Sequence, residues 1–161
     1  MILSDEAPTD AAAIRAVVTA AFGQPGEADL IERLRADGDA VISLVAAERG
    51  EVLGHILLSR MAAPFRALGL APVAVDPRHQ HRGIGSRLIR AGLARAARDG
   101  WQGLFVVGDP RYYRRFGFDA ALAGGFDSPY AGPHFMALAL DGALPTTGGP
   151  VAYASAFAAL A

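Results

Sequence analysis

A mixed α/β sheet flanked by helices, in one domain, is the fold class this sequence predicts, on three observations. Residues 70–86, LAPVAVDPRHQHRGIGS, read as a strand, a turn and a glycine-rich helix start. An amphipathic helix and another apolar strand follow, and a strand–helix–strand crossover joins parallel strands. Upstream, two apolar runs meet at Arg49-Gly50, a dipeptide that suits a hairpin and so an antiparallel pair. At 161 residues the chain is one domain by length and long enough to bury a core.

The elements follow in order. After a short strand around Ile2 and Leu3, Asp10 is placed to cap a helix with Ile14, Val17 and Val18 on one side, ending near Phe22-Gly23. Gln24-Pro25-Gly26 breaks the chain, and a second helix starts near Glu27 with Leu30, Ile31 and Leu34 at core spacing, closed by Asp37-Gly38. The hairpin strands span 40–48 and 52–59, and 60–68, with Pro64 and little periodicity, is a connection. The central strand, 70–75, is stopped by Asp76-Pro77, because proline has no donor for a ladder. From Ile84 to Asp99, Leu88, Ile89, Gly92, Leu93 and Ala96 share one side while Arg87, Arg90 and Arg98 share the other. Gly100 fits the C′ position, and a strand over 103–107 comes next. Gly108-Asp109-Pro110 starts a short helix ending at Phe116-Gly117-Phe118, with Asp109 as its cap. A last apolar strand covers 135–140, residues 142–150 are too rich in glycine and proline for helix or strand, and 151–157 is a strand or an edge loop.

Composition excludes several functions. With 52% hydrophobic and 19% charged residues the chain is compact rather than disordered, and a net charge of −1 gives no general pull toward nucleic acid or anionic membrane. The absence of cysteine removes disulfides, thiolate metal sites and a cysteine nucleophile, and four histidines without regular spacing predict no metal site. All 15 basic residues are arginine, which reads as codon bias. The N-terminal MILSDEAPTD has no basic region before an apolar core, and no apolar run approaches the ~20 residues of a membrane span, so the expectation is a cytoplasmic protein.

Residues 80–86 place Gly83 and Gly85 where a helix begins. Such glycines either allow close packing or let an anion approach the free N–H groups of the first turn. The spacing fits neither the dinucleotide fingerprint, which needs a third glycine, nor Walker A, which needs Gly-Lys-Ser/Thr. The Q-x-x-G-x-G pattern, after a strand ending V-x-V-D-P, instead resembles the acetyl-coenzyme A signature of the GNAT superfamily of N-acetyltransferases. The segment YY-x-R-F-G-F at 112–118, after G-D-P, looks more narrowly like its YhbS-type branch. The element order matches over nearly the whole chain, with 70–118 the most specific part. The resemblance implies the GNAT fold: a mixed, mostly antiparallel sheet flanked by helices, with a splayed central parallel strand pair.

It also implies site residues. Backbone N–H groups from His81, Arg82, Gly83, Ile84, Gly85 and Ser86, after Gln80, would hold the pyrophosphate of acetyl-coenzyme A, with the Arg82 side chain either assisting or in solvent. Val73, Ala74 and Val75 would lend main-chain groups to the pantetheine arm and the acetyl carbonyl, unless that strand is fully paired. Tyr113, four residues before Gly117, matches the tyrosine that serves as general acid to the departing thiolate; otherwise it packs on the sheet. Tyr112 lines the site or packs. For a base, Glu27 comes first, because the link from 22 to 27 lies where the family builds its acceptor pocket, although an acid at a helix N-terminus also favours the dipole. His55, inside an apolar strand, is the second candidate, or a packing residue.

The expected function is therefore transfer of an acetyl group from acetyl-coenzyme A to a primary amine of a small molecule or peptide, by direct attack in a ternary complex. A non-catalytic acyl-coenzyme A-binding or sensing module is the alternative. The partners expected are acetyl-coenzyme A and an amine, with no nucleic acid and no membrane; the resemblance allows a homodimer.

Overall fold

The computed structural model describes residues 1–160. Its strands and helices are β1 (Ile2–Asp5), α1 (Ala11–Phe22), α2 (Gly26–Ala36), β2 (Ala40–Glu48), β3 (Glu51–Arg60), β4 (Ala67–Val75), α3 (Ile84–Arg98), β5 (Gly103–Val107), α4 (Pro110–Tyr113), α5 (Ala120–Ala123), β6 (Phe126–Asp127), β7 (Phe135–Ala139) and β8 (Gly149–Pro150). Six strands form one sheet in the order β1-β2-β3-β4-β5-β7, and β6 pairs with β8. All pairs in the large sheet are antiparallel except β4 with β5. That is the mixed, mostly antiparallel sheet with a central parallel pair that the sequence predicts.

Helices cover both faces, which is why β3 is buried over 52–59 instead of alternating. On one face α3 packs Leu88 and Ile89 against Ile42, Leu44, Ile56 and Leu58. On the other, Ile14, Val17 and Val18 of α1 and Ile31 and Leu34 of α2 meet Val45 and Leu57. A third cluster gathers Phe105 of β5, Phe126 of β6 and Phe135 of β7. Among the described residues no helix is long and apolar enough to cross a membrane.

The Arg49-Gly50 turn has φ of 53° and 79°, the two left-handed residues of a type I′ hairpin. Asp10 stands at the start of α1, but its carboxylate accepts the N–H of Ala7 at 2.7 Å behind it and makes no forward cap. The central strand begins at Ala67, three residues before the sequence signal, because Ala67, Leu68 and Gly69 hold the whole parallel ladder with Gly103, Leu104 and Phe105. In the tail, Gly149-Pro150 does form a two-residue strand against Phe126-Asp127, correcting the expectation for 142–150. Over 151–157 the chain makes one bridge, Ala152 to Ala62, and then turns into a 3-10 helix, Ser155–Leu160.

Candidate active site

The β4–β5 ladder stops at Gly69 and Phe105, although β4 continues to Val75 and β5 to Val107. Two residues of β4, Ala71 and Pro72, stand opposite Leu57 alone, a bulge that bends β4 away from β5 where proline removes a ladder donor. Past the bulge, Val73, Ala74 and Val75 pair with Ile56, His55 and Gly54 of β3. Asp76 N–H donates to Leu53 O at 2.8 Å, so the alternation of an antiparallel pair turns the main-chain groups of Ala74 toward β3 and those of Val73 and Val75 into the splay. Ala74 is thereby removed from the expected set, since its own pair in β3 engages it. The Gln80 side chain donates to Val75 O at 3.2 Å and ties the following loop to this strand end.

Beyond the splay lies a cleft of about 430 Å³ lined by Val75, His79, Gln80, His81, Gly83, Ile84, Gly85, Ser86, Tyr112 and Arg115. Gly83 has φ 79° at the N-cap of α3, a conformation that a side chain would strain, and His81 shares it at 65°. Arg87 N–H makes the first bond of the helix, to Gly83 O, so the N–H groups of Ile84, Gly85 and Ser86 are free to meet an anion along the dipole. A Cβ on Gly85 would stand 3.6 Å from both Tyr112 Oη and Val75 Cγ2, ordinary contacts, so nothing in the chain itself demands glycine there. The cradle fits a phosphate-bearing ligand. The Arg82 side chain bonds His79 Nδ1 at 2.8 Å and Glu48 at 3.4 Å and lines no part of this cleft.

Tyr112 floors the cleft, its hydroxyl 3.2 Å from Ser86 Oγ. The sequence reading missed Arg115. Its guanidinium stacks 4.6 Å over the Tyr112 ring and its Nε donates to Tyr112 O at 2.9 Å, bringing a cation to the anion cradle. Helical i, i+3 spacing from Tyr112 is the signal that pointed to it.

Tyr113 lies at the other end of the splay. It lines a second cleft, of about 280 Å³, together with Glu27, Phe22, Pro72, Val73 and Val107. The structure therefore brings Glu27, Val73 and Tyr113 to one place. Its ring packs edge-on against Tyr112 and Phe118, and glycine at 108 is required, because a Cβ there would sit 2.4 Å from that ring. Burial pushes the Tyr113 phenol up to about 12. Glu27, at the start of α2, accepts a hydrogen bond from Gln24 Nε2 at 3.2 Å.

His55 is not brought to this cleft. It is 0% exposed in mid-β3, and its Nε2 lies 2.7 Å from Ser43 Oγ on β2. Burial lowers its pKa to about 4, so it is a neutral core histidine. Glu51, Asp76 and His79 offer three ligand atoms within 4.8 Å of one another. Arg78, however, bonds both oxygens of Asp76 and one of Glu51, and holds the Asp76 carboxyl down at about 2, so this cluster is an ion-pair network.

Comparison with known proteins agrees with this geometry. The model of the acetyltransferase (GNAT) domain matches residues 39–120, from just before β2 through the cradle and Tyr113 to the first residue of α5. The uncharacterized N-acetyltransferase YjhQ of Escherichia coli K12 is 41% identical over 134 residues, covering 78% of this chain and 74% of that protein. The crystal structure of Escherichia coli YhbS in complex with CoA superposes with a TM-score of 0.91 at 31% identity, covering 98% of this chain and 91% of that one. A GNAT family acetyltransferase from Brucella melitensis in complex with acetyl-CoA gives 0.84 at 40% identity over 97% of both chains. A splayed parallel pair, a glycine cradle at the start of the following helix and a domain match over half the chain converge on one conclusion: this chain belongs to the GNAT family of acetyltransferases.

Proposed function

We propose that this protein transfers the acetyl group of acetyl-coenzyme A to a primary amine by direct attack in a ternary complex. The observation that carries the reading is the splay between β4 and β5, with the anion cradle of α3 at one end and Tyr113 and Glu27 at the other. Bound coenzyme supplies an activated thioester, and the relatives solved with CoA and acetyl-CoA support that ligand.

The residues divide the work by position. The N–H groups at the start of α3 bind the pyrophosphate, aided by Arg115 at the rim. Val73 and Val75, whose main-chain groups face the splay, pair with the amides of the pantetheine arm as a neighbouring strand would. Their donors also orient the thioester carbonyl and stabilise negative charge on its oxygen. The attacking nitrogen must be neutral, and Glu27 is placed to take its proton as the new C–N bond forms and the C–S bond breaks. Tyr113 donates its hydroxyl hydrogen to the departing sulfur. A phenol held near 12 is a weaker acid than a thiol of about 8.5. Tyr113 thus stabilises the thiolate as a hydrogen-bond donor before it acts as a proton donor.

The test is release of free thiol from acetyl-coenzyme A across a panel of amines, alongside calorimetric binding. Turnover with at least one amine is expected. Tight binding without thiol release from any of them would replace this reading by that of an acyl-coenzyme A-binding module.

A further inference from the structure

A third cavity, of about 260 Å³, adjoins the Glu27–Tyr113 cleft and shares Leu70, Ala71, Val107 and Leu160 with it. Its remaining walls are aromatic. The ring of Tyr153 packs edge-on against Tyr130 at 5.5 Å and tilted against Phe157 at 5.1 Å. Tyr153 is also seated on Gly69, the last paired residue of β4 before the splay, where a Cβ would come within 2.5 Å of the ring. Its position at the apex of the splay is thereby fixed. Its hydroxyl is buried and makes no hydrogen bond among the described residues. Burial raises the pKa of this phenol, and the neighbouring Tyr130 and Tyr113 raise it further. A buried hydroxyl without a partner is costly, and a polar ligand group brought beside it would relieve that cost.

Among the described residues the chamber walls carry neither a carboxylate side chain nor a cation. A second ammonium or a sugar ring would lose its hydration there without compensation, whereas a flat apolar body would pack face-on or edge-on among Tyr130, Tyr153 and Phe157. We propose that the acceptor is a small primary amine on a short linker to an aromatic ring bearing a hydroxyl or carbonyl. The amine lies between Glu27 and Tyr113, the ring fills the chamber, and the ring's polar substituent bonds the Tyr153 hydroxyl. This assignment rests on the acetyl-transfer reading above.

The experiment compares tyramine, phenethylamine and spermidine as acceptors by thiol release, for the wild type and Tyr153→Phe, with acetyl-coenzyme A binding measured separately by calorimetry. In the wild type, kcat/KM for tyramine exceeds that for phenethylamine about three- to tenfold, the worth of one neutral hydrogen bond, and both exceed spermidine. Tyr153→Phe brings the tyramine to phenethylamine ratio to about one, through KM, and raises Tm by at least about 2 °C, because an unsatisfied hydroxyl has been removed. The same contrast is read without turnover, as a larger thermal shift with tyramine than with phenethylamine that disappears in the variant. Loss of acetyl-coenzyme A binding overturns the acetyl-transfer reading. Binding of acetyl-coenzyme A with spermidine as the best acceptor, an unchanged ratio in Tyr153→Phe, or a fall in its Tm overturns the acceptor assignment alone.

Discussion

Replacing Gly85 by alanine should move stability and coenzyme affinity in opposite directions. Gly85 lies in the first turn of α3, and the added methyl would meet Tyr112 Oη and Val75 Cγ2 at 3.6 Å, so no clash opposes it. Alanine is favoured over glycine by up to about 1 kcal/mol inside a helix and by less in the first turn, so a gain of about 0.5 kcal/mol is expected. In a domain of this size that is about 1–2 °C in Tm. The same methyl occupies the space through which a pyrophosphate approaches the N–H groups of the cradle. Loss of one hydrogen bond to a charged group is worth about 1.5–3 kcal/mol, which weakens acetyl-coenzyme A binding by about 10- to 100-fold. Urea unfolding reads the first quantity and isothermal titration calorimetry the second. A variant that is more stable and binds as tightly as the wild type would refute the cradle; one that is less stable would show that Gly85 serves packing.

Tyr113→Phe should lower kcat by about 10²-fold while acetyl-coenzyme A still binds. Since burial holds this phenol at about 12 and the protonated form is the active one, the wild-type pH–rate profile should show no alkaline loss below about pH 11 from this group; a limb near pH 8 to 9 would point to another acid. Glu27→Gln should cut kcat/KM for the amine by about 10²-fold, with calorimetric affinity for acetyl-coenzyme A retained. His55 predicts a pH effect on stability rather than on rate. Its folded pKa of about 4 lies below the ordinary 6.5, so between these values the unfolded state binds more protons. Stability is full above pH 6.5 and falls as pH drops toward 4, by about 3 kcal/mol. Urea titrations at pH 7 and 4.5 should show this loss and a smaller one in His55→Gln; equal losses would contradict the assignment.

The glycine pair, the hairpin dipeptide and the amphipathic 84–99 segment were legible because each is a local rule: a left-handed cap, a type I′ turn and a 3.6-residue period. Tyr113 and Glu27 were singled out through their place in a family pattern, and both line one cleft with Val73. The alternatives open for Ala74 and Arg82 could not be separated from sequence because orientation is not a local property. Strand alternation fixed by Asp76 N–H turns Ala74 toward β3, and Glu48, 34 residues away, holds Arg82. The aromatic chamber left no signal at all. Tyr130, Tyr153 and Phe157 stand in a tail without periodicity and meet only because Ala152 bridges to Ala62 and the chain then turns back over Gly69.

The most direct test of acetyl transfer in the splay is a crystal structure of this protein with coenzyme A. The pyrophosphate is expected on the N–H groups of residues 84–86, the pantetheine amides paired with Val73 and Val75, and the sulfur within hydrogen-bond reach of the Tyr113 hydroxyl. Coenzyme bound elsewhere, or a sulfur that points away from Tyr113 with the splay unfilled, would contradict that expectation.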